Sequence, residues 1–229
     1  MTGPGSGTSR PAILPDAPAA REAAVALLRA GEIVAVPTDT VYGIAVDLAL
    51  PDAIERLFAA KRRPPDKAVA LLLADADQAA VLGEVNAAAR LLAERFWPGG
   101  LTLVLPRRPD ARLPDVLAAG APTVGVRVPD HPAPRALAAA LGPLPTTSAN
   151  RSGEPDARDA HEIAERLGDA IALVLDGGPI RGGPASTVVD CTGSRPVIRR
   201  AGAIASADIA RVLSAAGIGL DELDWAEPR

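Results

Sequence analysis

The sequence predicts an α/β fold, a mixed β-sheet with helices packed on it. Short apolar runs bounded by Gly and Pro alternate with longer runs whose apolar residues recur at helical spacing. The two kinds interleave irregularly, which a strict parallel repeat would not do. The 229 residues are 48% hydrophobic and 23% charged, enough for a core, but only 2% aromatic. Ala, Val, Leu and Ile must therefore build that core.

The elements follow in order. The head, residues 1–15, is polar and rich in Gly and Pro, and is expected to be a flexible tail. Ala19–Ala30 reads as a helix closed by Gly31, and Glu32–Val36 as a strand. Ile44–Val46 fits a second short strand, Asp52–Lys61 a helix and Ala68–Leu73 a buried strand. Helices fit Asp75–Leu82, Asn86–Arg95, Pro132–Leu141, Asp159–Leu167 and Ser206–Ala215. Strands fit Leu101–Leu105, Thr123–Val128, Leu144–Thr147, Ala172–Leu175, Ser186–Asp190 and Val197–Arg199. No internal repeat or composition break marks a boundary, so one domain is expected over residues 16–216, with a short acidic tail over 217–229.

Composition narrows the function. A formal net charge of −4 argues against a nucleic-acid footprint over the whole surface, although a local basic cavity remains open. The single Cys191 excludes an internal disulfide framework and fits a reducing compartment. One Cys and the well-separated His131 and His161 give no metal-ligand cluster. The N-terminus lacks a basic-then-apolar signal pattern, and no apolar run reaches spanning length. A cytoplasmic protein with no membrane partner is expected.

Six clusters carry candidate chemistry. Thr38-Asp39-Thr40-Val41-Tyr42-Gly43 follows an apolar run closed by Pro37, with two hydroxyls, a carboxylate and the chain's one tyrosine at a strand end. Ligand sites of open α/β sheets lie at such strand ends, and a turn with capping hydroxyls also fits. Lys61-Arg62-Arg63 stands where a helix should stop, with Lys67 beyond Pro64 and Pro65. Cations complement a helix C-terminus, and a Lys and a guanidinium two residues apart can also converge on a phosphate. Thr146-Thr147-Ser148-Ala149-Asn150 and Ser152 set hydroxyls and an amide at another strand end, where an Asx or Ser turn is the alternative. Arg127 interrupts the apolar run Val124–Val128, a costly place for a charge unless it is paired or aimed into a cavity. The Gly-rich turn Gly182-Gly183-Pro184 leads into Ser186–Asp190 and lacks the ending of a Walker loop. Arg199-Arg200-Ala201-Gly202 closes the series.

The order of these clusters resembles the YrdC-like family, specifically the threonylcarbamoyl-AMP synthases. The resemblance runs from about Ala20 to Gly202. It rests on Pro37–Gly43, Lys61-Arg62-Arg63-Pro64 and Phe96-Trp97-Pro98-Gly99-Gly100-Leu101-Thr102. It continues through Val126–Pro129, Thr147–Asn150 with Ser152-Gly153, and Ser186–Asp190. It implies one YrdC-like α/β domain, a twisted mixed sheet around a large concave cavity. Some relatives carry a further C-terminal domain, and the short stretch after Gly202 is similar to the single-domain form.

The implied reaction joins L-threonine, bicarbonate and ATP into L-threonylcarbamoyladenylate and releases pyrophosphate. The product serves N6-threonylcarbamoyladenosine formation at adenosine-37 of tRNA, through transient hand-off to a transferase complex. Both reacting partners are anions, so charge neutralisation and alignment are the main tasks. By the resemblance, Lys61, Arg63, Ser148 and Asn150 are the catalytic set. They bind ATP together with Lys67, Thr123, Asp156 and Arg200. Thr40, Arg127, Thr146 and Ser186 match the threonine pocket, with Arg127 as partner of the carboxylate. Mg²⁺ is expected with ATP, held mainly by its phosphates, without a protein metal site.

Ala68, Leu72 and Ala201 depart from the pattern of many relatives, which leaves the loop path at Lys67-Ala68 open and makes any contact at Leu72 a backbone one. His131 and His161 match no catalytic position and are read as surface or capping residues. Lys61 and Arg63 are both expected at a solvent-facing helix exit, and Arg127 on the opposite strand face from Val126 and Val128. An RNA-binding protein of the same fold without synthase activity is the rival reading. Scarce aromatics and negative net charge weigh against it.

Overall fold

A computed structural model describes residues 10–180 and 183–222. The first nine residues of the expected flexible head, Gly182 of the Gly-rich turn and the last seven residues of the acidic tail lie outside that range.

The described chain runs β1 (Ala12–Pro15), α1 (Pro18–Arg29), β2 (Val34–Val36), β3 (Gly43–Ala45), α2 (Pro51–Lys61) and β4 (Ala70–Leu72). It continues through α3 (Asp77–Leu82), α4 (Ala87–Phe96), β5 (Leu101–Pro106), β6 (Thr123–Arg127), α5 (Pro132–Leu141) and β7 (Leu144–Ser148). Then come α6 (Ala160–Leu167), β8 (Leu173–Asp176), β9 (Thr187–Asp190), β10 (Val197–Arg200), α7 (Ser206–Ala215) and β11 (Asp221–Glu222). The strands form one sheet of eleven in the order β1-β8-β2-β3-β7-β4-β6-β5-β9-β10-β11. Parallel pairs such as β4–β6 and β5–β9 alternate with antiparallel ones such as β3–β7 and β5–β6, so the sheet is mixed, as expected.

Helix starts follow local chemistry. Proline occupies the first turn of α1, α2 and α5, where its missing N–H costs nothing. Asn86 and Asp159 cap α4 and α6, each accepting a backbone N–H at 2.9 Å. His131 caps α5 by accepting from Ala133 N at 3.2 Å, which gives that histidine a structural role.

The core has two layers. Val34 and Val36 face one side of β2 and pack with Leu28 of α1 and Leu137 of α5. Ala35, between them, faces the other side with Ile44, Leu57, Leu71, Leu92 and Leu103. This period-two division makes the central strands read as continuous apolar runs, because both faces are covered.

Two boundaries need correcting. The flexible head does not extend to Pro15, because Ala12–Pro15 pairs in parallel with β8, from Ala12↔Leu173 to Pro15↔Asp176. It is an edge strand with little side-chain burial, so its partner lies far along the chain and no local pattern marks it. The tail likewise contains β11, paired with β10 through Val197↔Asp221. Among the described residues no helix is long and apolar enough to cross a membrane.

Candidate active site

A cavity of about 380 Å³ opens on the sheet, walled by residues of the central strands and the loops leaving them. Eight of the twelve expected site residues line it: Arg63, Thr123, Arg127, Thr146, Ser148, Asp156, Ser186 and Arg200. Residues more than 130 positions apart therefore share one volume. Lys61, Lys67, Asn150 and Thr40 are not in its lining.

Lys61 overturns the expectation of a solvent-facing cation, since it is 3% exposed. The cause is the end of α2. Arg62 takes a left-handed conformation, with φ 50°, that stops the helix and turns the chain away. Lys61, still in the last turn, points inward, while Arg63 beyond the turn reaches the cavity wall. Lys61 Nζ donates to Ser148 O, Asn150 O and Asn150 Oδ1 at 2.7 Å each and meets Ser148 Oγ at 3.0 Å. Four oxygens around one nitrogen suit an ammonium ion. Burial, reinforced by the Arg63 charge, pushes its pKa down to about 8, against the pull of Asp156. Ser148 Oγ also donates to Asn150 Oδ1 at 2.6 Å, and Asn150 Nδ2 donates to Glu154 O. Lys61 and Asn150 thus stand behind Ser148 and hold it at the cavity wall.

Arg63 Nε donates to Lys67 O at 3.0 Å and its Nη2 donates to Ala68 O. These bonds fold the 67–68 loop back over α2's exit and settle the path that the substitution at Ala68 left open. The Lys67 side chain is exposed. Burial lowers the Arg63 pKa, and the Arg200 charge lowers it further. Burial likewise lowers that of Arg200, with Asp156 opposing. Arg200 holds Ser186 O from Nε at 3.1 Å and Nη2 at 2.8 Å.

Arg127 is buried, as its cost in an apolar strand requires. Its Nη2 meets Asp39 Oδ1 at 2.6 Å, Nη1 donates to Thr40 Oγ1 at 2.9 Å and Nε to Gly99 O at 2.9 Å. Desolvation lowers its pKa, Asp39 opposes this, and Arg200 adds to the lowering. Three of the five N–H groups of its guanidinium are committed, leaving one on each terminal nitrogen. Thr40 therefore supports Arg127 and faces an adjoining cavity of about 550 Å³ that shares Thr38 and Tyr42 with the first.

Asp39 belongs to the 38–43 loop and has no role among the sequence expectations. A buried guanidinium demands a counter-charge, and Asp39 is the carboxylate of that loop, but their pairing spans 88 positions. Tyr42, singled out as unique, is a structural anchor. Its hydroxyl donates to Gly178 O at 2.7 Å and accepts from Gly177 N at 3.0 Å, and burial raises its pKa to about 12. Leu72 lines the cavity with an apolar side chain, so hydrogen bonding there falls to backbone. Among the described residues no cluster of His, Cys, Asp and Glu could hold a metal ion.

One cavity therefore gathers three guanidinium groups, Arg63, Arg127 and Arg200, with hydroxyls of β7 and of Ser186 just before β9. Such a wall can hold two anions side by side and needs no covalent nucleophile.

Known proteins are similar to this chain in sequence and fold. The family model of the Sua5/YciO/YrdC domain, described as "Telomere recombination", matches residues 26–202. The chain is 43% identical over 192 residues to the threonylcarbamoyl-AMP synthase of Bacillus subtilis, covering 83% of this chain and 55% of that protein. It is 38% identical over 191 residues to a putative threonylcarbamoyl-AMP synthase of Mycobacterium tuberculosis, covering 83% of this chain and 87% of that one. The structure of Pyrococcus abyssi Sua5 complexed with L-threonine superimposes with a TM-score of 0.82 at 37% identity, over 91% of this chain and 61% of that one. The chain thus spans little more than half the length of some relatives and most of others. The match takes in the strand-end loops and cationic helix exit that build the cavity, and on this ground the chain belongs to the Sua5/YciO/YrdC family.

Proposed function

We propose that this chain makes L-threonylcarbamoyladenylate and pyrophosphate from L-threonine, bicarbonate and ATP. The observation that carries the reading is one cavity lined by Arg63, Arg127 and Arg200, in a chain whose relatives bear the name of that synthase. The threonine amine and bicarbonate form a carbamate with loss of water. A carbamate oxygen then bonds to the α-phosphorus of ATP as the bond from that phosphorus to the bridging oxygen breaks, and pyrophosphate leaves.

Arg63 and Arg200 hold the phosphates, and Ser148 reaches them by exchanging its bond to Asn150 Oδ1 for one to a phosphate oxygen. Lys61, with Asn150, acts through Ser148 as a buried positive charge and a positioning group. Lys67 is exposed and reaches the phosphates only at the cavity's edge, where Thr123 also stands. ATP enters as its magnesium complex, and Asp156 is the one carboxylate among the described lining residues. Arg127 takes the amino-acid carboxylate on its two uncommitted N–H groups. Thr40 steadies that guanidinium, while Thr146 and Ser186 face the rest of the threonine. Holding both anions in line supplies most of the rate enhancement. The labile product passes to a transferase complex acting on tRNA.

The test is pyrophosphate release by the purified chain. Release that requires ATP, L-threonine and bicarbonate together supports the reading, and release indifferent to threonine and bicarbonate overturns it.

A further inference from the structure

Thr102 has no part in the assignments above, yet it is buried, lines the cavity and lies beside Ser186. The register of β5 on β9 creates the proximity, because Leu101 pairs with Thr187 and Thr102 with Val188. Thr102 Oγ1 and Ser186 Oγ are 2.8 Å apart, and either hydroxyl can be the donor. Arg200 Nη2 also reaches Ser186 Oγ, at 3.1 Å.

Proton counting sets out what each direction leaves for a ligand. A guanidinium only donates, so Ser186 Oγ must accept from Arg200. Among the described residues Thr102 Oγ1 has no hydrogen-bond partner other than Ser186. If Ser186 donated to Thr102, the proton left for a ligand atom would instead be that of Thr102, which also lines the cavity. If Thr102 donates, its proton is satisfied and both Ser186 lone pairs are filled, one by Arg200 and one by Thr102. The Ser186 proton then has no acceptor but a ligand atom in the cavity.

We infer that Thr102 is a positioning residue that fixes Ser186 as a hydrogen-bond donor to an acceptor oxygen of the bound amino acid, and so helps set the affinity for that substrate. The inference rests on the synthase reading for the identity of the amino acid. Its geometry is independent of Lys61, Arg63 and Arg127. A ligand oxygen with a lone pair fits opposite Ser186, whereas an ammonium there would face an O–H with no acceptor to offer.

The test compares Thr102→Val, which keeps the shape and removes the hydroxyl, with Thr102→Ser, which keeps the hydroxyl. Threonine binding is measured by calorimetry, and the KM for threonine and for ATP by pyrophosphate release. Losing one neutral hydrogen bond predicts threonine binding weaker by roughly 3- to 10-fold in Thr102→Val. The KM for ATP should hold, and Thr102→Ser should recover most of the loss. In a Ser186→Ala background Thr102→Val should add nothing, since its effect passes through that hydroxyl. Unchanged threonine binding in Thr102→Val, equal losses for threonine and ATP, or a full added loss in the Ser186→Ala background would each overturn the inference. A wild-type chain that binds threonine with this pattern but releases no pyrophosphate would sink the synthase reading and leave the role of Thr102 standing. No threonine binding by the wild-type chain would overturn both.

Discussion

Replacing Lys61 by methionine tests the reassignment of this residue from surface cation to buried support. Methionine has similar length and no charge, so the main change is the loss of donors to four oxygens. The four are not equally exposed to that loss. Ser148 O keeps a bond from Asn150 N at 3.0 Å, and Ser148 Oγ and Asn150 Oδ1 keep each other at 2.6 Å. Asn150 O loses its donor outright, and a buried carbonyl left unsatisfied costs about 1–3 kcal/mol. Removing the buried ammonium also removes its desolvation cost, which limits the net loss. The expected fall in unfolding free energy is therefore about 1–3 kcal/mol, well short of four full charged bonds. Turnover should fall further, by about 2–4 kcal/mol in the barrier, because a cation beside an anionic transition state is gone and Ser148 is no longer held. Urea unfolding measures the first quantity and pyrophosphate release the second. Wild-type stability with wild-type turnover would refute the reasoning and return Lys61 to a helix-capping role.

The same residue has a pH signature. Between about 8 and its usual 10.5 the unfolded chain keeps a proton that folded Lys61 has released, so its contribution makes stability rise with pH across that window and adds no slope below it. Urea unfolding across this range should show the slope reduced in Lys61→Met, and an identical slope would refute the depressed pKa. Arg127→Lys should weaken threonine binding while nucleotide affinity changes much less, because a point charge cannot serve Asp39, Thr40, Gly99 O and a carboxylate together. Separate titrations with threonine and a non-hydrolysable ATP analogue decide it, and equal losses would make Arg127 a structural ion-pair residue. Gly202→Ala should impair turnover although it touches no ligand. Its Cβ would lie 2.2 Å from Ala185 O and 2.6 Å from Thr187 N, so the backbone carrying Ser186 must move. Unchanged kinetics would show that this close approach is dispensable.

Much of the fold was legible because its elements are locally coded. The central strands are short apolar runs between Gly and Pro, and the helices begin at proline or at capping residues such as Asn86 and Asp159. What escaped was set by distant partners. β1 has only four residues and is a strand because β8 lies beside it. The cationic helix exit was visible, but the opposite headings of Lys61 and Arg63 were not, since a left-handed arginine at position 62 carries no sequence signal. The charge on Arg127 announced that it needed a partner, and only the fold says that Asp39 supplies it. Thr102 ends the segment Phe96–Thr102 and acquires a role only through the register of β5 on β9.

The most direct measurement of the central claim is mass spectrometry of the reaction product after supplying isotopically labelled bicarbonate with ATP and L-threonine. The account predicts threonylcarbamoyladenylate carrying the label in its carbamoyl carbon, formed in step with pyrophosphate and absent when threonine is omitted. An unlabelled adenylate, or ATP cleaved without any threonine adduct, would contradict it.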